Sequence, residues 1–119
     1  MKDLTDYSLL PHNTFGIDVR CKRFVEFATV GELEAVLRSL TDDDNPLLLL
    51  GGGSNLLLTS DFSGTVIHSA IKGIEVVGGT SQHVSLRVGS GEVFDDVVAY
   101  CVEKGYYGIE NLSKIPGEV

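Results

Sequence analysis

The sequence predicts a small domain of mixed helices and strands, of the α/β or α+β class. Three observations lead to this prediction. Apolar residues recur at helical spacing between Val30 and Leu40, whereas Val84, Leu86 and Val88 alternate with polar residues as they would in a half-buried strand. Hydrophobic residues make up 43% of the 119 residues, which is enough to build one core.

The first forty residues predict an irregular segment, a strand and a helix, in that order. Residues 1–20 show no periodic pattern, and the β-prone residues from Arg23 to Phe27 predict a short strand. Thr29 and Glu32 have the spacing of a capping box, in which each side chain satisfies a backbone N–H of the other. We therefore expect a helix from Val30 to Leu40. Its apolar stripe would comprise Leu33, Val36, Leu37 and Leu40.

An acidic turn and two strands follow the predicted helix. The segment from Asp42 to Pro46 breaks the helix and is interpreted as a solvated turn, because it lacks the remaining ligands of a calcium loop. Leu47 to Leu50 predicts a short strand that is buried on both faces and ends abruptly at three glycines. Thr65 to Ser69 predicts a further strand.

The second half of the sequence predicts two strands followed by a helix. The strands would span Gly73 to Val77 and His83 to Val88. A Gly-Ser-Gly turn leads into a helix from about Val93 to Lys104, which Gly105 would close. The apolar stripe of this helix would consist of Phe94, Val97, Val98, Cys101 and Val102. The tail from Tyr106 to Val119 is expected to form a loop.

The charge of the chain argues against two classes of partner. Nine basic residues stand against 17 acidic ones, which gives a net charge of −8 without any cluster of Lys and Arg. Nucleic acids and anionic membrane surfaces are therefore not expected as partners. The apolar run from Pro46 to Leu50 is too short to span a bilayer, and the acidic N-terminus lacks the apolar core of a signal peptide. These features predict a cytoplasmic location.

The residue types that could bind metal ions are dispersed along the chain. Cys21 and Cys101 fit no metal-ligand spacing and are expected to be reduced thiols. His12, His68 and His83 are scattered and form no evident ligand set. The sequence therefore predicts no metal site.

The segment with the clearest chemical meaning is Leu47 to Leu57, in which the predicted strand leads into Gly-Gly-Gly-Ser-Asn. Residues without side chains let a ligand approach the backbone and let successive N–H groups point at one anion. A Rossmann fingerprint is excluded because Leu56 occupies the position of its third glycine, and a nucleotide-triphosphate loop is excluded because its lysine is absent. A diphosphate that is bound but not transferred fits these features. A plain tight turn fits them as well, so the segment alone leaves both interpretations open.

Four segments together resemble the N-terminal part of the UDP-N-acetylenolpyruvoylglucosamine reductase family, which are flavoenzymes of peptidoglycan precursor synthesis. Asn13 to Asp18 resembles the family's opening Asn-Thr-Phe-Gly element, and Leu50 to Leu57 is similar to its flavin-diphosphate loop. Val88 to Glu92 resembles its Gly-x-Gly-Glu turn, and Gly108 to Gly117 resembles its Gly-Leu-Glu-Asn-Leu…Ile-Pro-Gly segment. The opening element favours the family type that closes a tyrosine-bearing loop over the substrate.

The resemblance implies the N-terminal part of an FAD-binding domain of the vanillyl-alcohol-oxidase (PCMH) type, which has an α+β fold. Its first lobe would span about residues 1–70, the start of its second lobe would span about 71–119, and the substrate domain would be absent. FAD would be the cofactor. The implied cofactor-binding residues are Gly51, Gly52, Gly53, Ser54, Asn55, Leu56, Ile115, Pro116 and Gly117.

The resemblance also implies the activity of the intact family enzyme, in which NADPH reduces the flavin and the flavin reduces the enolpyruvyl group of a UDP-sugar. The family's substrate-binding Arg, proton-donating Ser and C-terminal Glu have no counterpart in these 119 residues. No catalytic residue is therefore expected in the chain, and the chain alone is expected to be inactive. Two alternatives remain open: another FAD oxidoreductase of the same superfamily, and a non-catalytic binding module.

Overall fold

The computed structural model describes residues 1–119, which form six strands and two α-helices in two compact units. The strands are β1 (Lys2–Ser8), β2 (Arg20–Phe27), β3 (Leu47–Leu50), β4 (Phe62–Ser69), β5 (Ile74–Gly79) and β6 (Val84–Val88). The helices are α1 (Val30–Ser39) and α2 (Phe94–Lys104). Unit 1 is Met1–Ala70 and unit 2 is Ile71–Val119. The combination of a mixed sheet, a separate hairpin and two helices confirms the predicted α+β class.

Unit 1 is built on a four-stranded sheet with the strand order β1-β2-β4-β3. β1 is antiparallel to β2, whereas β2, β4 and β3 all run in the same direction. The chain passes from β2 through α1 to β3, because strands that run in the same direction need a crossover connection. In this sheet Leu50, the last residue of β3, pairs with His68 of β4. The carboxyl ends of the parallel strands therefore lie at one edge of the sheet.

The expectation that residues 1–20 are irregular is wrong, because Lys2–Ser8 forms β1. This strand has no apolar alternation, and most of its residues are exposed. It is held by its pairing with β2 and by ion pairs across that pairing. Arg23 Nη2 lies 2.8 Å from an Asp3 carboxylate oxygen, and Arg20 Nε lies 2.9 Å from the Asp6 carboxylate. Burial does not hold β1, so hydrophobic periodicity could not reveal it.

The core of unit 1 lies against the central strands β2 and β4. Phe24 and Val25 of β2 and Val66 of β4 are completely inaccessible to solvent. Leu9, from the connection between β1 and β2, is equally buried and packs in the same cluster. Burying a large apolar side chain of this kind contributes about 1.5–3 kcal/mol. Because Phe24 and Val25 are consecutive, the central part of β2 is buried on both faces of the sheet.

β3 has its predicted span but not its predicted burial. Leu50 is buried, whereas Leu49 is 79% exposed and Leu47 is 44% exposed. β3 is the last strand of the sheet, and its alternate residues point away from the core. The prediction that this strand is buried on both faces is therefore wrong. An all-apolar run indicates a strand, but it does not show whether the strand is central or at an edge.

α1 begins at its predicted cap. Thr29 Oγ1 accepts a hydrogen bond from the Glu32 N–H at 3.1 Å, which satisfies one of the free donors of the first turn. The Glu32 carboxylate accepts the N–H of Ala28 at 2.6 Å, one residue earlier than in an ideal capping box. The predicted stripe is incomplete, because Val36 is buried but Leu37 is 53% exposed.

The acidic segment after α1 is less solvated than expected. Asp42–Asp44 forms a short 3₁₀ turn, and the Asp44 carboxylate lies 2.9 Å from Arg23 Nη1. A hydrogen bond from the Thr41 N–H and a second one from Arg23 lower the pKa of Asp44 below its ordinary value. The third acid of the run therefore has a structural role in holding the turn against β2.

Unit 2 contains the antiparallel hairpin β5–β6, followed by α2. Gly105 closes α2 as predicted, with φ at 74° and its N–H donated to the Val102 carbonyl. The apolar stripe is partly confirmed, because Val97, Val98 and Cys101 are buried, but Val102 is 54% exposed.

Two further properties of the described residues, 1–119, concern membranes and metals. None of their helices is long and apolar enough to cross a membrane. No group of three or more His, Cys, Asp or Glu residues could hold a metal ion. Cys21 and Cys101 are both buried free thiols.

Candidate functional site

The glycine loop, defined here as residues 51–56, leaves the sheet at the edge where the parallel strands end. It begins directly after Leu50, which pairs with His68 of β4. On the other side of β4, the same His68 pairs with Glu26 of β2. In open sheets of parallel strands, ligands bind outside the carboxyl ends of the strands. The fold therefore places the glycine loop at the edge of the sheet where a ligand is expected.

Four successive backbone N–H groups of this loop have no hydrogen-bond acceptor within the protein. Gly52, Gly53, Ser54 and Asn55 donate no backbone hydrogen bond, although the Gly53 carbonyl accepts the Thr14 N–H at 3.1 Å. The Thr14 hydroxyl lies 3.4 Å from the same carbonyl. Ser54 is half-buried and Asn55 is exposed, so their short polar side chains are also accessible. Successive N–H groups without a protein partner suit an anion, and the loop therefore fits the diphosphate of a dinucleotide cofactor.

The segment from Asn13 to Ile17 forms the wall against which the glycine loop is fixed. The buried Asn13 amide donates to the carbonyls of Leu9 and Ile17 at 2.8 and 2.9 Å. The Asn13 side-chain oxygen accepts the Ile17 N–H at 3.0 Å. These bonds close the segment into a compact turn that presents Thr14 to Gly53, 39 residues later in the chain. The first two motifs of the family resemblance therefore meet in the structure.

Gly53 is required by the packing of the protein itself. Its φ is 67°, which is the left-handed region that favours glycine. A Cβ at this position would lie 1.9 Å from the backbone carbonyl oxygen of His12. The missing side chain therefore allows two backbone segments to touch, whether or not a ligand is bound. Gly52 is exposed, which leaves its backbone open to a ligand.

His12 and His68 lie in one aromatic cluster with Tyr7 and Phe24, although the sequence showed them as scattered. The Phe24 ring lies 4.6 Å from the rings of both Tyr7 and His12, and the two histidine rings are 5.4 Å apart, measured between centroids. The Tyr7 hydroxyl lies 3.1 Å from His12 Nε2, and His68 Nδ1 lies 3.0 Å from the Glu26 carboxylate. The pairing of β1, β2 and β4 creates this cluster, so no local sequence signal could have found it.

Glu26 is ionised in this arrangement. Burial alone raises the pKa of Glu26, but the hydrogen bond from His68 and the positive charge of Lys2 outweigh it. The pKa of Glu26 therefore lies below its ordinary value. Lys2 Nζ lies 3.6 Å from the carboxylate. At neutral pH the Glu26 carboxylate is thus an acceptor that holds the His68 ring in place.

The three predicted site residues of unit 2 lie in its tail. The Gly117 carbonyl accepts the N–H of Phe94, the first residue of α2, at 2.9 Å. Gly117 has φ at 114°, and Ile115 is 47% exposed. Pro116, between them, is also exposed. The backbone of this segment is therefore fixed while its side chains remain accessible.

Asp95 holds the residues that precede this segment, and the sequence analysis did not single it out. Its carboxylate accepts the Lys114 N–H at 2.7 Å and the Ser113 hydroxyl at 3.0 Å. These two hydrogen bonds, the one from Lys114 first, lower the pKa of Asp95 below its ordinary value. Lys114 has φ at 65°, an uncommon conformation for a residue with a side chain. The carboxylate at the start of α2 therefore stabilises a strained turn of the tail.

The turn at Gly89–Gly91 resembles the glycine loop in composition but differs in its hydrogen bonds. The Gly89 N–H donates to the Gly73 carbonyl at 2.9 Å, and the Gly91 N–H donates to the Ile71 carbonyl at 2.9 Å. A Cβ at Gly89 would lie 2.3 Å from the same Ile71 oxygen. This turn is therefore packed against the start of unit 2 by its own backbone.

Known proteins resemble this chain over most of its length. The sequence profile described as FAD binding domain matches residues 21–119. The chain is 55% identical over 113 residues to UDP-N-acetylenolpyruvoylglucosamine reductase of Bacteroides fragilis, which covers 95% of this chain and 34% of the relative. It is 43% identical over 114 residues to the reductase of Porphyromonas gingivalis, with coverage of 96% and 34%.

Among solved structures, the chain resembles UDP-N-acetylenolpyruvylglucosamine reductase from Thermus caldophilus, with a TM-score of 0.72 and 25% sequence identity. The match covers 99% of this chain and 39% of that structure. The chain thus spans about a third of the length of the curated relatives it matches, and these relatives confirm the resemblance carried by the four motifs. The profile covers most of the chain. The chain therefore belongs to the FAD binding domain family, with FAD as its cofactor.

Proposed function

We propose that this chain supplies part of the FAD site of a UDP-N-acetylenolpyruvoylglucosamine reductase. The observation that supports the proposal is the row of N–H groups from Gly52 to Asn55, which have no partner in the protein and lie at the carboxyl edge of the parallel strands. A diphosphate offers several charged acceptors, and each hydrogen bond to a charged group contributes about 1.5–3 kcal/mol. Relatives that are 55% and 43% identical to the chain are reductases of this name, and the matching family is described as an FAD binding domain.

The residues of the proposed cofactor site contribute in different ways. Gly51 and Gly52 leave the backbone open, while Ser54 and Asn55 add a hydroxyl and an amide at the same place. Leu56 packs against the core and anchors the end of the loop. The proposed residues are Gly51, Gly52, Gly53, Ser54, Asn55 and Leu56 in unit 1, and Ile115, Pro116 and Gly117 in unit 2. We assign unit 1 to the first lobe of the FAD-binding domain and unit 2 to the start of its second lobe.

The proposed reaction is the NADPH-dependent reduction of the enolpyruvyl ether of a UDP-sugar. Bound FAD would supply the hydride transfer that side chains cannot perform. The residues of this chain bind and orient the cofactor, and none of them is proposed as an acid or a base. The substrate would bind to the part of the relatives that this chain does not match. We further propose that the reaction takes place in the cytoplasm. It would be a step of the peptidoglycan synthesis that supports cell shape and division.

The proposal is tested by flavin titration of the full-length protein that contains residues 1–119. FAD and riboflavin share the same ring system, but riboflavin has no diphosphate. If the glycine loop binds the diphosphate, FAD should bind at least about a hundredfold more tightly, as expected from one or two hydrogen bonds to charged oxygens. Equal affinities for the two flavins would contradict the assignment. The activity is tested by measuring NADPH oxidation that requires the enolpyruvyl UDP-sugar. FAD binding without this substrate-dependent oxidation would favour a different FAD oxidoreductase.

Residues 1–119 expressed alone provide the second test. The proposal expects weak FAD retention and no turnover, because the chain holds only part of the cofactor site and none of the substrate site. Flavin that stays bound at one equivalent through dialysis would contradict the first expectation. NADPH oxidation that depends on the UDP-sugar would contradict the second.

A further inference from the structure

We propose that the aromatic cluster of Tyr7, His12, Phe24 and His68 positions the glycine loop for FAD, with His12 as the main positioning residue. The inference rests on the proposed function, since it concerns the same cofactor site. It adds residues that lie outside all four motifs of the family resemblance. The residues of the cluster reach the loop at two points, at Gly53 and at Leu50.

The first point of contact is the backbone of His12. Its carbonyl oxygen occupies the space beside Gly53, where a Cβ would lie 1.9 Å away. Thr14, two residues later, donates its N–H to the Gly53 carbonyl at 3.1 Å. Gly53 is therefore held between a backbone oxygen that touches it and a hydrogen bond that fixes its peptide plane. A shift of His12 would shift Gly53, and with it the N–H groups of the neighbouring residues.

The side chain of His12 explains why this backbone position is stable. The ring packs at 4.6 Å on Phe24, which has no solvent exposure and belongs to the core. Its Nε2 lies 3.1 Å from the Tyr7 hydroxyl, and its ring lies 5.4 Å from that of His68. A half-buried ring with three such neighbours cannot rotate without losing several of these contacts. The core of unit 1 therefore fixes His12, and His12 fixes Gly53.

The second point of contact is the start of the loop. His68 pairs with Leu50 across the β3–β4 ladder, and Leu50 directly precedes the loop. The ring of His68 is held by the ionised Glu26 at 3.0 Å and packs beside His12. Both ends of the segment from Leu50 to Gly53 therefore contact the backbone of residues whose side chains belong to this cluster. Two anchors three residues apart leave little freedom to the N–H groups between them.

The competing explanation is that these rings only fill the core. In that case their removal would lower stability without a specific effect on the cofactor. The two explanations differ in the relation between FAD affinity and thermal stability. They are separated by comparing His12→Ala with Val36→Ala, because Val36 is also buried but lies in α1.

The experiment uses the full-length protein and measures the FAD Kd well below the melting temperature of each variant. We expect His12→Ala to bind FAD about tenfold more weakly, a change comparable to the loss of one hydrogen bond from the site. Val36→Ala should lower the melting temperature and leave the Kd unchanged. His12→Phe keeps a ring on Phe24 but loses the contact with the Tyr7 hydroxyl, so it should restore only part of the affinity and leave a loss of about threefold to fivefold, as in Tyr7→Phe. Unchanged affinity in folded His12→Ala, or an equal loss in Val36→Ala, would overturn the inference.

Tyr7→Phe keeps the inference testable if His12→Ala does not fold. This variant removes only the hydroxyl that meets His12 Nε2, and we expect a loss of FAD affinity of about threefold to fivefold. An unchanged Kd in this variant would count against the positioning role. Failure of the unmodified protein to bind FAD would be a different result, since it would overturn the proposed function itself.

Discussion

Two glycine-rich turns of this chain each follow a strand, yet their backbone groups are used in opposite ways. After β3, the N–H groups from Gly52 to Asn55 have no partner in the protein. After β6, Gly89 and Gly91 donate theirs to carbonyls at the start of unit 2. Glycines in a sequence therefore indicate that something approaches the backbone closely. The hydrogen bonds in the structure decide whether that neighbour is the protein or a ligand.

Gly53 combines features of the packed turn and of the open loop. Gly53 is buried, its carbonyl accepts the Thr14 N–H and its Cβ position is occupied by the His12 oxygen, as in a packed turn, whereas its N–H has no backbone partner, as in a binding loop. The glycine loop thus contains both uses of glycine, because Gly53 packs against the protein and Gly52 is exposed to a ligand. Substitutions of these two glycines should separate effects on stability from effects on cofactor affinity.

The largest effect is expected for Gly53→Val. A side chain here meets the His12 oxygen and also forces an unfavourable backbone conformation, at a cost of about 3 kcal/mol or more. We expect loss of both FAD binding and thermal stability. Gly89→Val is the matched variant, because its Cβ would lie 2.3 Å from a backbone oxygen of unit 2. Thermal melting without FAD checks both, and an unchanged melting temperature would show that the backbone can move aside.

Gly52→Val should have the next largest effect, but on affinity alone. The residue is exposed, so a side chain there should obstruct the ligand and spare the fold. We expect FAD affinity to fall about a hundredfold, as for the loss of one or two charge-assisted hydrogen bonds. Gly78→Val serves as the control, because nothing lies within 4 Å of its Cβ position. Flavin titration with parallel melting measures both quantities, and normal FAD affinity in folded Gly52→Val would refute the assignment of this loop.

Acid should loosen the tail of unit 2 by protonating Asp95. The pKa of Asp95 is lowered in the folded state from an ordinary value of 3.8, so its stabilising hydrogen bonds are fully present above that value. They are lost as the pH falls through the lower, folded-state pKa. The amide resonance of Lys114 should then shift, and Asp95→Ala should produce the same shift at neutral pH. A Lys114 resonance that is identical in Asp95→Ala would contradict this role.

The smallest effect is expected for Ser54→Ala. Its hydroxyl would contribute one hydrogen bond to the cofactor, so we expect a loss of about 1 kcal/mol, or roughly fivefold in Kd. Ser63→Ala, at an exposed position of β4, is the control and should leave the affinity unchanged. Equal Kd values for both variants would place Ser54 outside the site.

The features that the sequence predicted well are those with local causes. α1 ends one residue before the expected Leu40, and α2 begins one residue after the expected Val93, because caps and helical spacing are local signals. The glycine loop could be recognised for the same reason. Strand order is not local, so β1 was missed and the burial of β3 was wrong.

The aromatic cluster shows the same limit at the candidate site. His68 and Glu26 are 42 residues apart in sequence and meet only because β2 pairs with β4. Neither residue belongs to an apolar pattern or to a spaced motif. A side-chain network created by strand pairing leaves no trace in the order of the residues, whereas a loop built from consecutive glycines does.

The two outer strands of the sheet differ in a way that matters for handling the chain. β1 has exposed charges at Lys2, Asp3 and Asp6, which oppose pairing with the edge of another molecule. β3, at the other end, consists of four leucines without a charge, and Leu49 is almost fully exposed. Short apolar strands of this kind promote self-association and aggregation. The solubility of residues 1–119 is therefore limited at β3, and Leu49→Lys would give that strand the protection that β1 already has.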